Sequence, residues 1–242
     1  MTLFSELGWL FLLRWFHFLA GITWIGMLYY FNFVQTPFFA SAEPPVRSGM
    51  IVGGLVGRAL WWFRWGAMFT IITGWLYILH MAGKTGLQPF FSQSYGWAIF
   101  IGGIAGSLMW FNVWFIIWPA QKKVIASATQ VAKGGQAIPE AAALGQRAGF
   151  ASRTNTLLSI PMLFFMGAAT HLQVFTPTAR PAKITMMAVL AIVLAIVEAN
   201  ALVGTTGPGK KMLGSVKGTL WGGFVLTAVL VVVLKLIFRM IR

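Results

Sequence analysis

An all-α integral membrane bundle of six transmembrane helices is the fold class this sequence predicts, and three observations predict it. Of the 242 residues, 58% are hydrophobic and 9% charged, against roughly 45–50% and about 25% in average globular domains. The mean hydropathy is +0.79. The apolar residues gather into six runs, each about the 20 residues that a spanning helix needs.

The runs cover residues 7–34, 59–81, 97–118, 155–175, 184–203 and 219–238. Pro37, Pro119 and Pro177 follow the first, third and fourth runs, where a helix is expected to stop. Pro161 lies inside the fourth run and predicts a kink. The longest connection is a loop over 119–154, in which 137–148 reads as a short surface helix; residues 46–58 read as an interfacial segment. With no repeat and no break in composition, 1–242 reads as a single transmembrane helical domain. Trp9, Trp61, Trp62, Trp97 and Trp118 lie near predicted helix ends, as in an interfacial aromatic belt. The first run lacks a basic leader and a small-residue cleavage site, so it reads as a span and not a signal peptide.

Composition also excludes chemistry. There is no cysteine, hence no disulfide, thiolate metal site or covalent c-type haem attachment. There is no aspartate, and the acids are Glu6, Glu43, Glu140 and Glu198. A Ser-His-Asp triad or a close carboxylate pair has almost no material. The net charge of +14 points to membrane lipid and not to nucleic acid, because the bases sit between apolar runs.

An even number of spans places both termini on one side. The opposite side carries Arg47, Arg58, Lys122, Lys123, Lys133, Arg147, Arg153, Lys210, Lys211 and Lys217; the terminal side carries Lys84, Arg180, Lys183, Arg239 and Arg242. The positive-inside bias then predicts a bacterial inner membrane protein with both termini periplasmic.

Ionisable groups inside a bilayer need a reason. His17, His80 and His171 all fall in the half nearest the termini, on three different predicted helices. Imidazoles from separate helices can ligate b-type haem without covalent attachment. Arg14 precedes His17 by three residues on the same helical face, placing a cation toward the surface for a propionate. Gly21 below His17, and Gly167 in the i−4 relation to His171, would let a flat ring approach. His17, His80, His171, Arg14, Gly21 and Gly167 are therefore the candidate cofactor residues, with the three histidines as candidate iron ligands. Which two ligate stays open: His17 with His171, or His80 with His171. The competing readings are a hydrogen-bonded structural role, strongest for His80 at its helix end, another metal site, or a proton relay. Glu198 should be protonated or matched, with Arg64 the first candidate partner and Arg153 the second. Asn112 reads as interhelical glue, Lys235 as a snorkelling lysine, and the methionines as packing.

Four segments resemble a known family. They are residues 13–26, with Arg14-Trp15-x-His17-x-x-x-Gly21-x-x-Trp24-Ile25-Gly26; residues 62–67, with Arg64; residues 112–124, with Asn112, Pro119, Lys122 and Lys123; and residues 155–161 followed by His171. Together they resemble the N-terminal domain of membrane urate oxidase (urate hydroxylase), discontinuously over 10–171. The last third, with Glu198, carries no such segment. The resemblance implies a membrane bundle linked to purine oxidation and electron delivery to cytochrome c. Family members with that activity carry further helices and a C-terminal cytochrome c domain. With no cysteine, the chain is expected to lack that domain, and Arg153 stands where a histidine is expected.

The leading functional expectation is a redox module, a possible urate-oxidase-like oxidoreductase component. It would bind haem b near its periplasmic face and relay electrons to a periplasmic cytochrome c, a quinone or a partner subunit. A non-catalytic accessory subunit of a larger membrane complex is the alternative; Gly102, Gly103 and Gly106 favour close helix packing. A transporter ranks last, since neither inverted repeats nor paired broken helices are evident.

Overall fold

The computed structural model describes residues 2–174 and 179–241. Among these the chain is helical, with turns and no strand. The predicted end of the fourth span at Phe175, the stop at Pro177, and Arg242 lie outside the described residues.

Helix α1 runs from Glu6–Ser41. Ser5 caps it by accepting from the Gly8 N–H at 3.2 Å. After α2 (Pro44–Val52), Gly54 at φ +88° turns the chain into α3 (Leu55–Thr85). A short α4 (Leu87–Phe90) leads to α5 (Ser94–Ala132), and α6 spans Ala141–His171. Then come α7 (Arg180–Leu202), a one-turn α8 (Pro208–Leu213), and α9 (Val216–Met240), capped by Ser215 on the Gly218 N–H.

Five of these helices, α1, α3, α5, α7 and α9, are long and apolar enough to cross a membrane. Six were expected. The remaining predicted span lies within α6, which falls short because it carries a polar centre: Thr154, Asn155, Thr156 and Ser159 are all buried. That helix occupies the middle of the bundle, packing on α5, α9, α7 and α1. Asn155 pairs with Asn112 of α5 and Ser159 with Tyr29 of α1, so part of this polarity is used between helices.

The expected stops at Pro37 and Pro119 are overturned. Both α1 and α5 continue through their prolines, and in each a six-residue π-helical segment stands just before: Tyr30–Gln35 and Asn112–Ile117. The wider π turn already breaks the i→i−4 ladder, so a proline lacking its N–H disturbs nothing further there. The predicted loop over 119–154 is consequently mostly helix. The expected surface helix at 137–148 is largely the first two turns of α6.

One hydrophobic core joins all the long helices, centred on Trp24, Leu28, Phe63, Ile101, Met109, Leu158, Phe165, Met186 and Leu234. In lipid such helices associate through close packing and polar links. Between α1 and α3 the backbones nearly touch at Gly66, where a Cβ would stand 3.0 Å from the Trp24 nitrogen. Between α6 and α9 the contact is chemically specific. Pro161 donates no hydrogen bond to the Leu157 carbonyl one turn back. That carbonyl lies against Gly223, where a Cβ would stand 2.7 Å from the oxygen. Lys210 closes another helix end: buried, it donates to the Ala201 carbonyl at 2.7 Å and lies 4.2 Å over the Phe150 ring. Burial pulls its ammonium below the ordinary lysine range.

Trp9, Trp61 and Trp62 are exposed, whereas Trp97, expected in the same belt, is buried. Trp97 donates from Nε1 to the Phe91 carbonyl at 2.8 Å.

Gly223→Ala is expected to destabilise the bundle by about 1–3 kcal/mol, the usual range for overpacking, and to lower the thermal unfolding midpoint in detergent. Gly57→Ala, where a Cβ meets nothing within 4 Å, should leave that midpoint unchanged or raise it by the helix propensity of alanine, up to ~1 kcal/mol.

Candidate functional site

The α1–α3 pair builds the first site. His17 projects from α1 onto α3, where its Nδ1 lies 2.9 Å from the Thr70 carbonyl oxygen. A carbonyl only accepts, so in the neutral ring Nδ1 carries the proton and Nε2 keeps its lone pair. Nε2 has no protein partner among the described residues. The ring sits where Gly74 has no side chain: a Cβ there would lie 2.9 Å from Cε1.

His17 lines a cavity of about 350 Å³ whose walls are almost wholly apolar. Gly21, Gly74, Gly103 and Gly106 flatten those walls, with Trp24 and Trp75 beside them. A second cavity of about 240 Å³ shares His17, Phe18, Gly74, Ile78 and Met166, and adds Arg14, Tyr77 and Tyr95. Arg14 donates to the Tyr77 hydroxyl and its guanidinium stands 5.0 Å from the Tyr77 ring centre. The paired cavities thus run from an apolar slot to a cationic, phenolic mouth.

Of the six residues expected at one site, the structure brings three together: His17, Arg14 and Gly21. His80 is held elsewhere, its Nε2 3.2 Å from the Glu6 carboxylate, which Lys84 also contacts at 2.6 Å. His171 is the exposed last residue of α6, and Gly167 faces open space. None of these three lines either cavity. No group of three or more His, Cys, Asp or Glu is placed to hold a metal ion among the described residues. The sequence reading missed Thr70 and Gly74. Nothing in a single sequence couples them to a histidine on another helix.

The arrangement nonetheless fits a flat apolar group with acidic substituents, held through one imidazole. Nε2 is available, glycines leave room for a ring, and Arg14 stands at the open end. Met166 lines both cavities on the α6 side, where the second imidazole was expected.

The second polar constellation is the knot around Glu198. Asn112, fully buried in the π segment of α5, donates from Nδ2 to Asn155 Oδ1 at 2.9 Å and to Glu198 Oε2 at 3.0 Å. Asn155 donates in turn to the Met109 carbonyl at 2.8 Å. The expected ion pair of Glu198 with Arg64 or Arg153 is therefore corrected: its partner is an amide. Arg64 instead stacks 3.8 Å over the Trp118 ring, with Trp114 donating to the Arg64 carbonyl at 3.1 Å. Arg153 donates to the Leu213 carbonyl at 2.6 Å.

A bundle of long apolar helices, with a cavity lined by His17 among α1, α3, α5 and α6, defines the class: a multi-pass helical protein of membrane type. The profile of the family described as urate oxidase N-terminal matches residues 76–234, well over half of the chain, and the chain belongs to that family. The match extends through Glu198 to the last helix, so the kinship is wider than the segments ending at His171. It also begins beyond Arg14 and His17. No curated protein and no solved structure matches this chain.

Asn112→Leu is expected to cost about 1–3 kcal/mol for each polar group it orphans, here the Asn155 carbonyl oxygen and the Glu198 carboxyl. Glu198→Gln keeps an acceptor for Asn112 and should stay within ~1 kcal/mol of the parent. Thermal unfolding of the two variants in the same detergent makes the comparison.

Proposed function

We propose that this chain is a membrane redox module that holds haem b at His17 and relays electrons to a partner protein or quinone. The observation that carries this reading is His17 itself, fixed through Nδ1 on the Thr70 carbonyl and pressed into the gap at Gly74, beside a glycine-smoothed apolar slot. A second partner on the far ring nitrogen is the usual way a ligating imidazole is oriented. Arg14, with Tyr77 beside it, would bind a propionate at the mouth. The apolar walls would exclude water and set the potential through the low dielectric. Haem supplies one-electron transfer when bound.

By the family's description the module would serve the oxidation of urate, as one component of an oxidoreductase. The lysine and arginine bias of its loops supports an inner-membrane location with the termini and the Arg14 mouth facing the periplasm, where a cytochrome c could accept electrons.

A second reading, an accessory subunit of a larger membrane complex, is favoured by the outer face of α1, where Phe11, Trp15 and Leu19 are exposed. Recovery at fixed stoichiometry with other subunits in mild detergent would support it; migration as a lone monomer would count against it.

The test is the absorption spectrum of the protein purified from its native membrane. A b-type band is expected in the parent and in His80→Ala, and should be lost in His17→Ala. His171→Ala decides whether α6 supplies a second ligand. Gly74→Ala, which pushes on the imidazole, should shift or weaken the band without unfolding the bundle. A well-folded parent with no b-type band removes the reading.

A further inference from the structure

A separate cavity of about 310 Å³ lies at the other end of α1, about 27 Å from His17 along the helix at ~1.5 Å per residue. Its walls tell its depth in the membrane. Gln35 stands where the first apolar run ends, Leu60 where the second begins, Ile117 where the third ends, and Arg153 just before the fourth. Apolar runs end where the hydrocarbon core ends, so the cavity lies at the level of the lipid headgroups. Thr36, Gly149 and Gly214 line it and are exposed, which marks where it opens.

Its polar groups carry a pattern. Gln35, in the π segment of α1, is 9% exposed and lines the cavity, and its Oε1 is buried with no hydrogen-bond partner among the described residues. Such an acceptor is costly to leave unpaired, so Oε1 asks for a proton donor from something in the cavity. Asn32, nearly one turn earlier, also lines it. It spends both amide protons, on the Leu28 carbonyl at 2.9 Å and on Ser152 Oγ at 2.8 Å. The acceptor at Leu28 fixes the amide orientation, so what Asn32 has left is a second carbonyl oxygen.

Arg153 supplies the opposite character. One of its guanidinium nitrogens donates to the Leu213 carbonyl, which leaves several of its five N–H groups for a guest. No carboxylate pairs with it among the described residues. A planar guanidinium in this state suits a phosphate. The rest of the wall is largely hydrocarbon, with Phe31, Leu60, Phe63 and Ile117 facing the same space. One cavity thus holds a free cation, two free amide oxygens and an apolar lining.

The complement of this set is a zwitterion on an apolar stem, and at headgroup depth the membrane itself provides one. A bare cation is repelled by Arg153. Inorganic phosphate brings no N–H for Gln35 or Asn32 and leaves the apolar wall uncovered. We propose that this cavity seats the headgroup of an aminophospholipid, phosphatidylethanolamine, with its phosphate on Arg153 and its primary ammonium on Gln35 Oε1 and Asn32 Oδ1. The three N–H groups of that ammonium answer both amide oxygens, and the glycerol end of the lipid covers the phenylalanines. The quaternary ammonium of phosphatidylcholine has no N–H and leaves both oxygens unpaired. The site shares no lining residue with the His17 cavities, and the proposal does not depend on haem.

The test is native mass spectrometry of the delipidated full chain in detergent, titrated with phosphatidylethanolamine or with phosphatidylcholine of identical acyl chains. Phosphatidylethanolamine should bind saturably, one per chain, and at least tenfold more tightly than phosphatidylcholine, as expected for losing hydrogen bonds from a charged donor. Arg153→Gln should weaken both lipids by a similar factor of at least ten, because both carry the phosphate. Gln35→Leu should weaken phosphatidylethanolamine alone and so shrink the preference between the two lipids, whereas Gln35→Glu, which keeps an acceptor, should retain that preference. Glycerophosphoethanolamine, the same headgroup without acyl chains, should bind at least tenfold more weakly than the lipid. Gel filtration and helical circular dichroism check each variant; if Gln35→Leu unfolds, the preference of the parent and of Gln35→Glu still decides. Four results would each overturn the proposal: no saturable phosphatidylethanolamine binding by the folded parent, equal affinity for phosphatidylcholine, an undiminished preference in folded Gln35→Leu, or glycerophosphoethanolamine binding as tightly as the lipid.

Discussion

A carbonyl freed inside an apolar bundle has no water to turn to, and much of this structure follows from finding it a partner within the chain. The Ala201 carbonyl near the end of α7 takes the Lys210 ammonium. The Leu213 carbonyl ending α8 takes Arg153. The Thr70 carbonyl takes His17 in addition to its helical role, and the Met109 carbonyl above the second π segment takes Asn155. Lys210, Arg153, His17 and Asn155 are thus spent on backbone carbonyls, while Asn112 serves Asn155 and Glu198. With 18 basic and 4 acidic residues in the chain, three ion pairs are found among the described residues, each involving Glu6 or Glu140.

Much of the architecture was legible in the sequence because bilayer thickness dictates helix length, and five of the six expected runs became long apolar helices. The failures have physical causes. Proline marks a helix end only where the ladder before it is α-helical, and Pro37 and Pro119 each sit behind a π segment. A window of hydropathy sees lipid contact and not burial, so α6, polar because its neighbours satisfy it, reads weakly. The partner of Glu198 was sought among cations, while the structure supplies Asn112, a residue noted for gluing helices but not for this one.

The histidines show the same limit. Depth along a helix can be counted from sequence, whereas azimuth cannot be carried across loops. Three imidazoles expected in the same half of the bundle therefore proved to have three different surroundings: His17 in a cavity wall, His80 on Glu6, His171 at an open helix end. Arg14 and Gly21 stayed with His17 because all three lie on one continuous α-helical stretch. Gly74, the residue that makes room for the ring, was invisible for the converse reason.

The π segment at Tyr30–Gln35 has a geometric consequence for α1. Such a segment amounts to one inserted residue, which turns everything beyond it by about 100°. The side of the helix that greets α3 near His17 is thus not the side that would face inward at Thr36 and beyond had the α-helical phase persisted. One helix can in this way wall an oily chamber at one end and a hydrophilic one at the other, each with its own azimuth, while remaining a single rod through the membrane.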